Sequence, residues 1–287
     1  MVLDPQLIWN GLVVGSIIAV SALGLTLIFG ILNFINLAYG DYMAAGAYIA
    51  FAINSQVGLP IGVAIVGGVA AMSVGAVALD KLVFQHFRSR SPITLLIVSI
   101  GLAFILRNLI RAVWGPSGKF YELPLDANPS YLGVRFNVEQ IAIMLASLLL
   151  LGAVYLLLQR TRVGIAMRAA SDDRTLSRIR GVDTEKLVLY VWLVGGGIAA
   201  LGGIMLGLDA QLRPNMGFTA LIPIFAAVIL GGIGDPKGAV AGGYAIGVIQ
   251  EVSVSVIPSE YKFGVGLLVL ILGLLTRPDG LFGEATR

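Results

Sequence analysis

The sequence predicts an all-α integral membrane protein: a polytopic bundle of about eight or nine transmembrane helices, some short, broken or re-entrant, with a cytoplasmic helical segment midway. Three observations carry this. Mean hydropathy is +0.92. Apolar runs of membrane-spanning length recur throughout the chain. The charged residues, 12% of 287, fall mainly between those runs. All 287 residues read as a single transmembrane domain.

The first run, 8–31, follows Asp4 and Pro5 in place of a basic leader region, and no small-x-small cleavage site comes after it, so it reads as a retained span. Further spans are expected at 34–53, 60–84, 93–113, 139–158, 186–208, 217–234, 236–257 and 262–276. Several are shorter than the ~20 residues a bilayer-crossing helix needs. The region 217–257 could be one broken or re-entrant element plus one full span. Between the fourth and fifth spans, 114–138 is rich in Gly, Pro, Asn and Tyr and is expected to be a turn-forming outer loop.

The stretch 160–186 is a polar island between spans. Its 27 residues hold seven of the 19 Lys and Arg: Arg160, Arg162, Arg168, Arg174, Arg178, Arg180 and Lys186. Ile165, Ala169, Leu176 and Ile179 nevertheless keep a helical stripe. Ser171-Asp172-Asp173 supplies capping side chains, and Gly181 suits a helix end. The expectation is two short helices joined by a bend, presenting a small apolar ridge edged with arginine. A plain connector has no use for such a ridge, whereas a surface that docks a partner does.

With the island on the cytoplasmic side, thirteen Lys and Arg gather inside and four outside, a clear positive-inside bias. The C-terminus is then cytoplasmic, and the N-terminus lies outside if all nine runs cross.

Composition excludes some chemistry. The absence of cysteine rules out disulfides and thiolate metal sites, and a single histidine, His86, rules out a multi-histidine metal site. Gly115-Pro116-Ser117-Gly118-Lys119-Phe120 looks superficially like a phosphate loop. It lacks the Ser or Thr after Lys119 and a preceding strand, so ATP is not bound that way. The 37 glycines, many in pairs, suit close helix packing in lipid and could also let helices break around a pathway.

Polar residues inside the spans are the remaining candidates. Asn33, Asn36, Tyr39 and Asp41 cluster where the first two spans meet; Asp41 could cap the next helix or belong to a pathway gate. Arg107 and Arg111 share a helix face, and could snorkel to the outer interface, line a wet cavity or pair with Glu251. Gln250 and Glu251 form the other polar pair placed deep in a span. Gly232-Ile233-Gly234-Asp235 matches the GxGD pattern of intramembrane aspartyl proteases, with Asp41 as a conceivable second carboxylate. No Tyr-Asp pair or Pro-Ala-Leu segment accompanies it, and Gly-Asp-Pro-Lys-Gly also makes a good turn.

Four motifs carry a resemblance. Residues 11–51, the island's Gly164-x-Ala166-x-Arg168-Ala169 with Gly181-Val182, the segment 231–243 and the closing 277–283 keep the order and spacing found in LivH-type permeases. These are subunits of branched-chain amino-acid ABC importers. The resemblance implies half of a translocation pathway for amino acids, branched-chain foremost, in a bacterial inner membrane. The partners would be a second homologous permease, two cytoplasmic ATP-binding subunits and a periplasmic solute-binding protein. ATP and Mg would be bound by the ATPase partners, with no cofactor, metal, nucleic acid or catalytic residue in this chain. The island becomes a coupling helix, with Gly164, Ile165, Arg168, Ala169, Asp172, Asp173, Leu176 and Gly181 facing an ATPase. An ion-coupled secondary transporter is the alternative from another class. It would need mid-membrane carboxylates and internal inverted repeats.

Overall fold

The computed structural model describes residues 4–88, 90–123, 130, 131, 134–276, 280 and 281. The closing motif at 277–283 therefore lies mostly outside the described residues, as does the middle of the 114–138 loop. Among them the helices are α1 (Pro5–Leu32), α2 (Tyr39–Phe51), α3 (Ile61–Leu82), α4 (Pro92–Trp114), α5 (Val138–Arg160), α6 (Arg162–Asp172), α7 (Arg174–Ile179), α8 (Thr184–Asp209), α9 (Met216–Gly231), α10 (Pro236–Ser253) and α11 (Lys262–Thr276). Two-residue strands β1 (Ser130–Tyr131) and β2 (Val134–Arg135) pair antiparallel.

Side-chain caps set several helix starts. Asp4, Ser91, Thr161, Asp183 and Asp235 each accept from a backbone amide in the first turn of the helix they precede. Proline stands in the first turn of α1, α4 and α10, where its missing N–H costs nothing. The Lys186 amide and ammonium hold the Asp183 carboxyl below its usual range.

Among the described residues, six helical segments are long and apolar enough to cross a membrane; α9 is a shorter apolar helix. The expected second span is truncated, because Asn33 closes α1 in a left-handed conformation (φ 55°) and the chain is not helical again until Tyr39. The expected 217–257 region resolves as two helices, α9 and α10, joined by a turn in which Gly232 and Gly234 have positive φ. The Asp235 carboxylate accepts from the Lys237 and Gly238 amides at 3.1 Å each, so the GxGD stretch forms a capped turn.

α1 and α8 form the centre: 83% and 72% of their spans are buried inside the bundle, against 6% around α11. Small residues set these contacts. Along α1 and α10, Gly11 meets Val248, Gly15 meets Tyr244, and Ala19 meets Gly243, an antiparallel seam of near backbone-to-backbone contact.

The two ends of the bundle differ. At one end, Gln6 bonds the Arg135 backbone, Asn54 bonds Glu122, and Lys119 pairs with Leu212. At the other lie the α1 C-terminus, the island, Arg88 with Glu185, and Leu281, whose amide bonds Leu230. Between the ends, Tyr39 at the start of α2 reaches Gly24, ~13 Å up α1 from its end. Gly217 at the start of α9 rests on Gly40. Two helices thus begin inside the bundle, and a non-helical stretch, 210–215, leads into the second.

Candidate functional site

The island folds as two short helices, α6 and α7. Thr161 accepts from the Gly164 amide at 3.0 Å and donates to the Leu157 carbonyl at 2.6 Å, which turns α6 sharply off the end of α5. A Cβ on Gly164 would lie 2.1 Å from the Leu157 oxygen, so this corner has room only for glycine. Met167 and Ala170 are buried where α6 packs on the ends of α5, α8 and α1. Asp173 ends α6, and its carboxylate accepts from the Leu176 amide at 2.8 Å to start α7. Gly181 (φ 88°) turns the chain towards α8.

The outward surface is apolar at its ridge: Ile165, Leu176 and Ile179 are 54%, 49% and 78% exposed, and Ala169 is exposed with them. Arg168, Asp172, Arg178 and Arg180 are also exposed. Of the eight residues singled out here, Ile165, Arg168, Ala169, Asp172 and Leu176 are available surface. Gly164, Asp173 and Gly181 shape the segment.

The intramembrane candidates separate differently. Asn33 is the exposed C-cap of α1. Asn36 is buried, and its carbonyl oxygen accepts from the Ala38 amide at 3.0 Å, which shapes the turn into α2. Tyr39 is buried against Gly24.

Asp41 does not cap α2; the N-cap is Ala38, which makes no side-chain bond. Its carboxylate, fully buried, is taken instead by Arg107 on α4, Nε to Oδ1 at 3.0 Å and Nη2 to Oδ2 at 2.9 Å. Arg107 therefore does not snorkel. It does not pair with Glu251 either, because Glu251 binds Lys262 at 2.7 Å near the end of α10. The physical reason is reach: Arg107 is placed by α4 beside α2, whereas Glu251 lies beside the chain leading into α11. The Arg107 guanidinium carbon sits 4.5 Å from the Phe218 ring and 5.7 Å from that of Phe104.

A second ionic group escaped the sequence reading. Asp80, buried near the end of α3, pairs with Arg88, which also reaches Glu185 at 3.0 Å. Phe84 stacks on Trp192 of α8 at 5.2 Å, next to this network. Arg88 thereby ties the Phe84–Phe87 turn to the first turn of α8, where the island ends. Replacing Arg88 by Met strands a buried carboxylate, and should destabilise the chain by about 3 kcal/mol. The check is the melting temperature in detergent: a clear fall, with most of it regained when Asp80→Asn is added. No regain would mean that the pair is not what holds this corner.

At the opposite end, the Tyr121 hydroxyl donates to the Ala47 carbonyl at 3.0 Å, and burial pushes its pKa up. Among the described residues no cluster of three or more His, Cys, Asp or Glu could hold a metal ion.

Long apolar helices around a glycine-packed centre, with a buried ion pair between α2 and α4, mark a multi-pass membrane protein. Residues 7–274 match the family described as branched-chain amino acid transport system / permease component, and the chain belongs to that family. Among curated relatives it is 31% identical to the high-affinity branched-chain amino acid transport system permease protein BraD of Pseudomonas aeruginosa, over 97% of this chain and 95% of that one. It is 28% identical to the corresponding permease protein LivH of Escherichia coli, with the same coverage. A probable branched-chain amino acid transport permease protein LivH of Methanocaldococcus jannaschii is 31% identical over 99% of this chain and 92% of its own. A chain in the structure titled PsaBC from Streptococcus pneumoniae in complex with Fab shares the fold: TM-score 0.51 at 14% identity, covering 95% of this chain and 92% of that chain. These relatives are transport permease subunits, not enzymes, which removes the aspartyl-protease alternative.

Proposed function

We propose that this chain is one permease subunit of an ATP-driven importer and provides half of a translocation pathway for branched-chain amino acids. It works with a second homologous permease, two cytoplasmic ATP-binding subunits and a periplasmic solute-binding protein. The observation that carries this is the island. Its apolar ridge is exposed and bracketed by arginines, on two short helices of which α6 is seated against the ends of α1, α5 and α8. A surface built this way can be buried in a groove of another protein, with arginines at the rim to set orientation.

In this reading the island faces the cytoplasm, eight or nine segments enter or cross the bacterial inner membrane, and the C-terminus is cytoplasmic. The positive-inside bias supports the orientation. Closure of the ATPases on ATP displaces α6 and α7, and the α1, α5 and α8 ends on which α6 rests move with them. No bond is made or broken in this chain. The names of the relatives support the substrate class.

The experiment is purification through a tag on this chain, followed by reconstitution into liposomes with the solute-binding protein. ATP-binding subunits are expected to co-purify, and radiolabelled leucine is expected to accumulate only with ATP inside the ATPase-facing compartment. Uptake by the chain alone, driven by an ion gradient, would establish the secondary-transporter reading instead.

A further inference from the structure

Arg107 presents five N–H donors, and Asp41 takes two of them, one on Nε and one on Nη2. The guanidinium has no other acceptor among the described residues. The guanidinium lies against the rings of Phe218 and Phe104, and both residues are themselves about half exposed, at 50% and 58%. Asn108, next to Arg107 on α4, and Asn215 and Thr219, close to Phe218 in sequence, are exposed. Arg107 is ~22 Å along α4 from its first residue and ~10 Å from its last, and its partner Asp41 lies near the start of α2, inside the bundle. A guanidinium edge with unmet donors, set among amides and a hydroxyl, is costly against hydrocarbon. The α4–α9 face therefore borders a polar space.

We infer that Arg107 receives the carboxylate of a permeating amino acid. Its unoccupied N–H donors bind the two oxygens, and Phe104 and Phe218 meet the apolar side chain. Planar fork-to-carboxylate pairing is what arginine does best, and lysine cannot reproduce it. Asp41, wholly buried, is a positioning residue: it aims the guanidinium and offsets its charge. The solute carboxylate is then held weakly enough to leave, as conduction requires. This rests on the amino-acid importer reading.

The test is uptake of radiolabelled leucine by the reconstituted complex, with complex yield as the measure of folding. The double variant D41N/R107Q removes both charges and strands neither. It should assemble in unsubstituted yield and lose leucine uptake by about ten- to a hundredfold, the weight of a charge-assisted hydrogen bond. Should that variant fail to assemble, Arg107→Lys keeps the ion pair and removes the fork; reduced uptake at full yield supports the assignment, and unaltered uptake overturns it. Uptake by D41N/R107Q within about twofold of unsubstituted overturns it, as does recovery of uptake in the charge-exchanged D41R/R107D, because pairing alone would then suffice. If the unsubstituted complex itself accumulates no amino acid, the importer reading falls, and this assignment with it.

Discussion

Ile165→Glu is expected to leave this chain in the membrane at its unsubstituted level and to abolish recovery of the ATP-binding subunits with it. Ile165 is 54% exposed on α6, so a carboxylate there meets water in the isolated chain and costs its fold little. The burden falls on the assembled state. If the ridge seats in an apolar groove, the same carboxylate must be desolvated without a partner, at about 3 kcal/mol or more, which weakens docking by roughly a hundredfold. Arg162 and Arg168 flank it in sequence but are exposed, and exposed ion pairs return less than that. Ile165→Met keeps volume and polarity and should retain the ATPases. The readout is the ratio of ATPase to permease on a tag-purification gel, with ATP hydrolysis in the eluate. An unchanged ratio for Ile165→Glu would falsify the assignment of α6 as the docking element.

The island was legible because its signals are local. Helical spacing of Ile165, Ala169, Leu176 and Ile179, a capping aspartate and a terminal glycine specify two short helices whatever surrounds them, and α6 and α7 follow. The spans were legible for the same reason: apolar runs have to be helices in lipid. What the sequence did not reveal was pairing across helices. Asp41, Arg107 and Glu251 could be recognised as charges needing partners, yet which met which depends on the α2–α4 and α10–α11 neighbourhoods, absent from any single run. Asp80 was overlooked because it precedes Lys81 at a span end and passes for interfacial charge, while its carboxylate turns inward to Arg88. A rule that isolated opposite charges in apolar spans should be matched before being read as capping or snorkelling would have favoured Asp41 with Arg107. The late start of α2, at Tyr39 instead of 34, was likewise hidden, since only Asn36 and Asp41 interrupt the apolar run 34–53 and the left-handed turn at Asn33 leaves no mark in that pattern.

These pieces form one mechanical line through α8. Its first turn holds Glu185 against Arg88, its third carries Trp192 on Phe84, and Gly203 in its last third lies on Met43 of α2, two residues from Asp41. On the proposed function, a displacement of the island would reach the α2–α4 ion pair through a single helix, and that transmission requires α8 and α2 to touch without slack.

Gly203 is where they touch most closely. A Cβ there would lie 1.9 Å from the Met43 carbonyl oxygen, 2.5 Å from its carbon and 2.8 Å from its Cα, all backbone atoms that no rotamer change can move. Gly203→Leu is accordingly expected to prevent the folded bundle from forming, at a cost of roughly 5 kcal/mol, the upper end of single-substitution effects. The membrane offers no compensation: lipid is as apolar as leucine, so helices forced apart gain nothing to replace the lost contact. Gly152→Leu on α5 is the matched control, since a Cβ at Gly152 meets no atom within 4 Å. Detergent-solubilised yield of monodisperse protein and melting temperature should be unchanged for Gly152→Leu and lost for Gly203→Leu. Two variants of equal stability would mean that α2 and α8 can separate freely, and would break the mechanical line between the island and Arg107.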